Sequence, residues 1–214
     1  MKEIVSVNWL NQNLNDENLL ILDATITAVS DESSIDCNQN TIPRSRYFDL
    51  KNNFSDENSR FPNTMPSSEK FELEARRIGV NNNSKIVIFD NKGIYSSPRV
   101  WWMFKTMGHS EVYVLNGGLP EWKSNGFYTE KRKTEQFRMG NFKANFQQKN
   151  VKTYEDVLEN VPNPSFLIID ARSQERFQCK VDEPRAGLRR GTIPNSKNLP
   201  YTKLLNGYKL KSKK

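Results

Sequence analysis

The side chains that could do chemistry in this sequence are few and lie far apart. Cysteine occurs at Cys37 and Cys179, and His109 is the one histidine among 214 residues. A zinc site or a disulfide framework needs paired Cys or Cys/His spacing, which this sequence lacks. His109 has no Cys or Asp partner by spacing. We therefore expect two free thiols, a structural histidine, and neither a metal site nor a cofactor.

A pair of short motifs is present twice. Leu20–Ala24 is followed by Thr41–Pro43, and the similar Leu167–Ala171 is followed by Thr192–Pro194. Self-similarity of this kind indicates a tandem repeat. The first copy continues through further predicted strands and helices to about Gly126, whereas only about half of the corresponding length follows the second copy.

Short apolar runs that end in polar turns alternate with segments of helical character. Leu19–Leu22, Ile86–Phe89 and Val112–Leu115 are typical of buried strands, and Asp23 and Asp90 close the first two. Strands that alternate with helices predict an α/β layer structure with a mostly parallel central sheet. Ligands of such sheets bind at the carboxyl ends of the strands, so we expect functional residues there.

Local signals predict where several helices begin. Short polar side chains that accept a hydrogen bond from the first helical turn are predicted N-caps at Ser6, Ser67 and Thr153. In the helix that follows Ser67, the inward-facing positions are expected to be Phe71, Leu73 and Ile78.

Composition limits the class of protein. With 36% hydrophobic and 11% aromatic side chains, a chain of this length can form a packed core. No apolar run approaches the roughly 18 residues of a membrane span, and the start lacks a secretory signal, so we expect a cytoplasmic protein without a membrane partner. The net charge of +7 is carried by lysine-rich stretches at 131–133, 143–152 and 203–214 that lack aromatics on a periodic face. We interpret these stretches as a solvated linker and tail, with no nucleic-acid partner.

Several longer motifs resemble those of the two-domain rhodanese-like sulfurtransferases, which include thiosulfate and 3-mercaptopyruvate sulfurtransferases. The motifs follow the family's order over nearly the whole chain, which makes the resemblance more specific than one short pattern would. The matching segments are Ser96–Phe104, Gly108–His109, Leu115–Trp122, Lys152–Asp156, Ile169–Ser173, Arg176–Phe177 and Glu183–Arg185.

The resemblance implies a rhodanese-like three-layer α/β fold and a function in sulfur transfer. In that family a cysteine at a strand end of the second domain lies in a loop of backbone N–H groups, which favour its thiolate. The thiolate takes sulfur from thiosulfate or 3-mercaptopyruvate, forms a persulfide, and passes the sulfur to cyanide, a thiol or a thioredoxin-like acceptor. These donor anions and such an acceptor are the partners that the resemblance implies.

The resemblance also implies a domain division. We expect a non-catalytic rhodanese-like domain at 1–126, a linker at 127–150, and the N-terminal half of a second domain at 151–214. In the first copy Asp90 closes the strand that the cysteine would close, about 47 residues after Pro43, and the same interval after Pro194 passes Lys214. We therefore expect a chain truncated within its second domain, with no catalytic residue and no activity by itself.

Two arginines are the implied substrate-binding residues. Arg176 and Arg185 match the pair that holds the substrate carboxylate in mercaptopyruvate enzymes, and a guanidinium suits bidentate binding of such an anion. The alternative for these arginines is a salt bridge to Asp182 or Glu183 on the same loop. Because the cysteine is missing from the pattern, both interpretations stay open at the level of sequence.

Other positions depart from the family. The histidine that the family has before Ile-Pro is threonine here, at Thr41 and at Thr192. An Asp and a His that assist the cysteine in mercaptopyruvate enzymes correspond to Lys51 and Asn63. These replacements speak against a mercaptopyruvate enzyme in particular.

A second function class is compatible with the same motifs. The first domain would then be a non-catalytic rhodanese-like binding module that takes an anion or a protein partner at the loop after Asp90. Near that loop, Arg99 is expected to form an ion pair at the core edge or between domains. Of the adjacent Trp101 and Trp102, one is expected in the core and the other against the second domain.

Overall fold

A computed structural model describes residues 3–26, 40–133, 136–184 and 187–212. Internal contacts divide the chain into two compact units. Unit 1 comprises Met1–Asn150 with Gly207–Lys209, and unit 2 comprises Val151–Asn206 with Leu210–Lys214. Cys37 and Arg185 lie outside the described residues, so the predictions made for them have no structural counterpart.

Unit 1 is built around a five-stranded parallel sheet. Its strands are β1 (Ile4–Val5), β2 (Leu19–Asp23), β4 (Ser45–Tyr47), β5 (Lys85–Phe89) and β6 (Val112–Leu115). Their order is β1-β6-β5-β2-β4, and all four pairings are parallel. The predicted α/β fold with a mostly parallel central sheet is therefore confirmed. Two further strands, β3 (Asn40–Thr41) and β7 (Glu130–Lys131), pair antiparallel with each other.

Helices cover both faces of this sheet. They are α1 (Val7–Gln12), α2 (Ser68–Arg77), α3 (Ser97–Thr106) and α4 (Gly118–Ser124), and a 3₁₀ turn follows at Gln148–Asn150. Because successive strand residues face opposite sides, Leu20 and Leu22 of β2 join one apolar cluster with α2 and α3. Ile21 joins a second cluster with Leu10 of α1 and Trp122 of α4. Helix, sheet and helix thus form three layers.

The predicted caps are present. Ser6 Oγ accepts from Trp9 N at 3.1 Å, and Ser67 Oγ accepts from Lys70 N at 3.2 Å. The third predicted cap, Thr153 in unit 2, forms a capping box with Asp156, in which each side chain accepts a hydrogen bond from the backbone N–H of the other residue.

One of the three predicted inward-facing positions of α2 was wrong. Phe71 of α2 is fully buried, but Leu73 is 41% exposed, and Glu74 and Ala75 take the inward positions instead. Residues three and four apart share a helix face, whereas a residue two positions on points away from it. Ile78 lies at the end of α2 and is half-buried.

The described residues of 127–150, a segment predicted as a linker, belong to unit 1. Phe142 is 2% exposed and its ring contacts the rings of Phe71 and Phe104. The backbone N–H of Asn145 donates to the carbonyl of Met107 at 2.9 Å. The segment buries single side chains rather than one periodic face, so a periodicity search does not detect it. The division at residue 126 stays a prediction.

Unit 2 has short elements. They are α5 (Tyr154–Asn160), β8 (Ile169–Asp170), α6 (Gln174–Phe177), β9 (Lys197–Asn198), a 3₁₀ turn at Tyr201–Leu204, β10 (Leu205–Asn206) and β11 (Lys209–Leu210). β8 and β9 pair in parallel. Of the described residues of this unit, only Asn160 and Pro200 are buried. Large apolar side chains of this unit, such as Leu167 and Leu188, are therefore more than half exposed.

The two copies of the motif pair form the same strand pairing. In unit 1 Asp23 lies opposite Tyr47, and the carbonyl of Asp23 accepts from Phe48 N at 2.9 Å. In unit 2 Asp170 lies opposite Asn198, and its carbonyl accepts from Leu199 N, also at 2.9 Å. The sequence similarity of the two segments thus extends to their register.

No helix in the described part of the chain has the length and apolar character that a membrane span requires.

Candidate functional site

Two guanidinium groups and two carboxylates form a network at the carboxyl end of β8. Arg172 donates from Nη2 to Asp170 Oδ2 at 2.6 Å and from Nη1 to Glu183 Oε1 at 2.7 Å. Arg176 donates from Nε to Glu183 Oε2 at 3.1 Å, and its Nη2 contacts the same oxygen. The carboxylate of Glu183 therefore joins the two arginines.

Local sequence determines this geometry. A tight turn follows β8, because Asp170 Oδ1 accepts from the backbone N–H of Arg172 at 2.9 Å. Ser173 then caps α6 with its side chain, which accepts from the backbone N–H of Arg176 at 3.4 Å. The turn places Arg172 at the strand end, and the cap places Arg176 in the first turns of the helix. Both side chains can then reach Glu183.

The network holds its carboxylates in the charged form. The hydrogen bond from Arg176 lowers the pKa of Glu183, and the hydrogen bonds from Arg172 lower the pKa of Asp170. The Asp170 carboxylate in turn raises the pKa of Arg172. A carboxyl group of lowered pKa is a poor general acid near neutral pH, so neither carboxylate is suited to donating a proton there.

Arg176 retains capacity for a second anion. Its side chain is 30% exposed, and it uses Nε and Nη2 for Glu183. Among the described residues no acceptor contacts its Nη1. A guanidinium carries five N–H donors, so the predicted alternative, an ion pair with Glu183, is present without excluding the predicted role in substrate binding. The second predicted ligand, Arg185, lies outside the described residues.

In unit 1 the loop after β5 surrounds a carboxylate of its own chain. Asp90 Oδ2 accepts from the backbone N–H groups of Tyr95, Ser96 and Ser97 at 2.8, 3.1 and 3.0 Å, and from Ser97 Oγ at 2.7 Å. Asp90 Oδ1 accepts from Lys92 N at 2.9 Å. Asp90 is fully buried. The loop is a ring of donors at the N-terminus of α3, which is the arrangement that stabilises an anion.

The hydrogen bonds to Asp90 affect both candidate functions, the sulfurtransferase and the binding module. Backbone N–H groups that would stabilise a thiolate or an external anion already bind the Asp90 side chain. A carboxylate at this position offers no sulfur nucleophile, in keeping with the non-catalytic first domain that the family pattern implies. It also removes the donors that an anion-binding module would use there.

A buried ion pair, which the sequence did not reveal, lies at the end of β2. Arg132 Nη2 donates to Asp23 Oδ2 at 2.6 Å, and both side chains are less than 5% exposed. Thr41 Oγ1 donates to the same oxygen at 3.1 Å. Arg132 also lies 4.7 Å from the ring centre of Tyr47, and burial raises the pKa of that tyrosine to about 12.

The prediction of a solvated basic cluster at 131–133 was wrong for Arg132. The charge pattern alone does not distinguish it from Lys131 and Lys133, which are exposed. Its partner Asp23 ends a buried strand, and a buried carboxylate needs either a cation or several hydrogen-bond donors; that need was the available signal.

Cys179 is a free and exposed thiol just after α6. Its φ is 59°, in the left-handed region that favours glycine. Its Sγ has one weak contact, at 3.9 Å from the carbonyl of Phe177. Within the described ranges, no group of three or more His, Cys, Asp or Glu side chains is placed to hold a metal ion.

His109 is structural, as predicted. It is 4% exposed, its Nε2 lies 2.7 Å from the carbonyl of Ser84, and its ring packs against Phe104 and Phe142. Burial lowers its pKa.

The other side chains near α3 bind backbone carbonyls. Arg99 contacts the carbonyl of Asn63, and no carboxylate pairs with it among the described residues, so the expected ion pair is not found there. Trp101 Nε1 donates to the carbonyl of Val112 at 3.1 Å, and Trp102 Nε1 donates to that of Asn150 at 3.0 Å. Both tryptophans are half-buried and pack against the apolar cluster that contains Leu20 and Leu22.

A parallel five-stranded sheet between helix layers, with a donor-rich loop at the end of its central strand, defines unit 1 as a rhodanese-like α/β domain. The family model described as the rhodanese-like domain matches residues 6–125. The chain belongs to the rhodanese-like family.

Relatives extend the similarity into unit 2. The mitochondrial thiosulfate/3-mercaptopyruvate sulfurtransferase 1 of Arabidopsis thaliana is 35% identical, over 95% of this chain and 59% of that protein. The 3-mercaptopyruvate sulfurtransferase of Escherichia coli K12 is 35% identical, over 97% of this chain and 74% of that protein. The crystal structure of Escherichia coli SseA, a 3-mercaptopyruvate sulfotransferase, superposes with a TM-score of 0.87 at 32% identity, covering 99% of this chain and 80% of that one.

The chain thus spans 59% of the Arabidopsis relative and 74% of the Escherichia coli relative. These similarities support sulfur transfer as the activity at the level of the family.

Proposed function

We propose that this chain contributes the donor-binding part of a sulfurtransferase that moves a sulfane sulfur from 3-mercaptopyruvate or thiosulfate to a thiophilic acceptor. The observation that carries the proposal is the Arg176 side chain, which Glu183 orients at the carboxyl end of β8 with Nη1 left for an anion. In an α/β sheet this is the edge where ligands bind. Arg185 is proposed as the second arginine, and a thioredoxin-like protein as one acceptor.

The proposed reaction proceeds through a cysteine persulfide. The thiolate attacks the outer sulfur of the donor and a new S–S bond forms. With 3-mercaptopyruvate the C–S bond breaks and pyruvate leaves as its enolate, which then takes a proton; with thiosulfate the S–S bond breaks and sulfite leaves. The acceptor then removes the sulfur and restores the thiolate. Arg176 would hold the donor's carboxylate or sulfonate end so that its sulfur faces the thiolate.

We further propose that this polypeptide alone does not turn over donor. The sequence arrangement is a tandem repeat whose first cysteine-equivalent position is Asp90, and Cys179 follows helix α6 rather than a strand. The test is an assay of thiocyanate from thiosulfate and cyanide, and of pyruvate from 3-mercaptopyruvate. We expect no product above the uncatalysed rate. Turnover above that rate would overturn this part of the proposal, whether or not the Cys179→Ser variant retains it.

Donor binding is tested separately by nuclear magnetic resonance titration of the arginine side chains with 3-mercaptopyruvate. We expect the Arg176→Gln variant to bind at least tenfold more weakly than the wild-type chain. The matched control is Arg190→Gln, because Arg190 forms an ion pair with Asp182 in the same unit but its side chain is 46% exposed. Equal losses in the two variants would indicate a general charge effect and contradict the assignment.

The binding-module alternative has less support. Its site would be the loop after Asp90, and the donors of that loop are occupied by the Asp90 carboxylate. The division into a first domain at 1–126, a linker and a partial second domain, and a cytoplasmic location, stay predictions.

A further inference from the structure

A cavity in unit 1 lies beside β4, which is at the edge of the five-stranded sheet. Its described lining comes from the end of β4, the end of α2, and residues 132, 133 and 136–139. The cavity has a volume of about 570 Å³. Sites for small molecules have volumes of roughly 300–1,000 Å³, so this cavity is large enough for one.

Contacts within unit 1 fix the walls of the cavity. Arg46 Nη1 donates to the carbonyl of Ile78 at 2.5 Å, and its guanidinium lies 4.3 Å from the ring centre of Phe137. Arg46 thus joins β4, the end of α2 and the segment that carries Phe137. Just beyond the cavity, Gly140 N donates to the carbonyl of Arg76 at 2.8 Å. Because these walls are already ordered, a ligand would bind without the entropic cost of ordering them.

One part of the lining is apolar. It includes Tyr47, Ile78, Phe137 and Met139. Met139 is 55% exposed, and the other three residues are half-buried, so apolar surface at the cavity stays in contact with water. A ligand with an apolar body would remove this surface from water, which favours binding.

The charged part of the lining is mainly basic. Arg77, Arg132 and Lys133 line the cavity together with one carboxylate, that of Asp49. Three cations and one carboxylate give the described lining a formal charge of +2. The carboxylates that pair with the three cations lie outside the lining and belong to Glu74, Asp23 and Glu130. The charge that faces the cavity therefore favours an anion.

Hydrogen-bonding capacity supports the same ligand charge. The Asp49 carboxylate already accepts from Asn52 N at 3.0 Å and from Asn52 Nδ2 at 2.8 Å. Arg132 is buried, its Nη2 donates to Asp23, and its Nε has no acceptor among the described residues. Since a guanidinium carries five N–H donors, part of the donor capacity at Arg132 is unused.

We propose that this cavity binds a small organic anion in which an apolar body is joined to one carboxylate, as in an aryl-substituted propionate. The apolar body would lie against Phe137 and Met139. The carboxylate would face Arg77 and Lys133, and a guanidinium is well shaped to bind it in a bidentate manner. The cavity shares no residue with the network that holds Arg176, so this inference does not depend on the proposed function.

The experiment titrates the 214-residue chain with 3-phenylpropionate and follows the methionine methyl groups by nuclear magnetic resonance. Two matched probes separate the contributions: 3-phenylpropionamide has the same apolar body without the charge, and acetate has the charge without the apolar body. We expect 3-phenylpropionate to shift the Met139 methyl resonance saturably. Each of the other two probes should bind at least tenfold more weakly.

Variants locate the bound anion. The double variant Arg77→Gln/Lys133→Gln should bind 3-phenylpropionate at least tenfold more weakly than the wild-type chain. The matched control is Lys131→Gln, which also removes a nearby positive charge but at an exposed position outside the lining, so it should bind normally. Arg77, Lys131 and Lys133 are all exposed, so we expect urea midpoints close to that of the wild-type chain.

Three results would each overturn the inference. The first is the absence of a saturable shift at Met139. The second is equal binding of 3-phenylpropionate and its amide, because the basic lining would then contribute nothing. The third is an equal loss of affinity in Lys131→Gln and in the double variant, which would indicate a general charge effect. The Arg176→Gln variant should leave the Met139 shift unchanged, and a shift lost in that variant would also count against the cavity.

Discussion

Arg132 and Asp23 form an ion pair in the interior of unit 1, with Nη2 and Oδ2 2.6 Å apart across 109 positions of sequence. The pair fixes the segment after β7 to the end of β2. Thr41 Oγ1 and the backbone N–H of Thr25 donate to the same carboxylate, at 3.1 and 3.0 Å. These bonds satisfy part of the carboxylate's hydrogen-bonding capacity but leave its charge without a counterion if the arginine is removed.

Replacement of Arg132 should destabilise unit 1. In Arg132→Ala the Asp23 carboxylate stays buried without its cation, and breaking such a pair costs about 3–5 kcal/mol. Urea unfolding followed by tryptophan fluorescence measures the effect on unit 1 alone, because all four tryptophans lie at or before residue 122. The control is Lys133→Ala, whose side chain is 59% exposed and 3.6 Å from Glu130, for which we expect less than about 1 kcal/mol. Similar urea midpoints for Arg132→Ala and Lys133→Ala would contradict a stabilising role of the buried ion pair.

Asp90 should be as important for stability as a core residue. The Asp90→Asn variant keeps the volume of the side chain, but an NH₂ group replaces one of its two acceptor oxygens. At least one buried N–H group of the loop then lacks an acceptor, at a cost of about 1–3 kcal/mol. The same fluorescence-detected unfolding gives the change in free energy. Asp56→Asn is the matched control, because Asp56 Oδ1 also accepts a backbone N–H, that of Asn58 at 2.9 Å, but at an exposed turn. Wild-type stability of Asp90→Asn would show that the loop does not depend on the carboxylate.

Strands and caps followed directly from the sequence because their signals are local. The apolar run before Asp23 and the serine before α2 each depend on a few neighbouring residues. Leu73 does not share the inward face because it lies only two positions from Phe71, whereas one face of a helix recurs every three or four residues. Glu74 is buried on that face, with its carboxylate paired to Arg77.

The site could be predicted only in part. Arg176 was found through its place in a family motif, and its pairing with Glu183 was one of two alternatives. The roles of Arg132 and of the Asp90 carboxylate depend on residues that are distant in sequence or on backbone N–H groups, which carry no residue signature. Neither can be read from composition or spacing.

The single histidine should give unit 1 a pH dependence. Burial lowers the pKa of His109 in the folded state, and its ordinary value is 6.5. Above pH 6.5 the ring is neutral in both states and contributes no slope. Below pH 6.5 the unfolded chain binds a proton that the folded chain resists, so stability falls with decreasing pH, by at most about 1.4 kcal/mol per unit.

Urea unfolding at pH 7.5, 6.5 and 5.5 measures this slope. The His109→Gln variant can still donate to the Ser84 carbonyl but has no titrating ring, and it should unfold with nearly constant free energy over this range. Carboxyl groups of lowered pKa contribute their losses at lower pH, so they do not obscure the comparison. A slope that persists in His109→Gln would assign the pH dependence to another group.

The two units should differ in resistance to proteolysis. Unit 1 buries two apolar clusters, whereas the described part of unit 2 buries only Asn160 and Pro200, so unit 2 opens at a lower free-energy cost. Trypsin should therefore cut first at basic residues within 151–206, such as Arg172 or Lys197, and leave a fragment with all the tryptophan fluorescence. Mass spectrometry of a time course identifies the cuts, and Arg132, buried against Asp23, serves as an internal control that should stay intact. Equal resistance of 151–214 and 1–126 would mean that unit 2 is stabilised by interactions beyond its own sparse core.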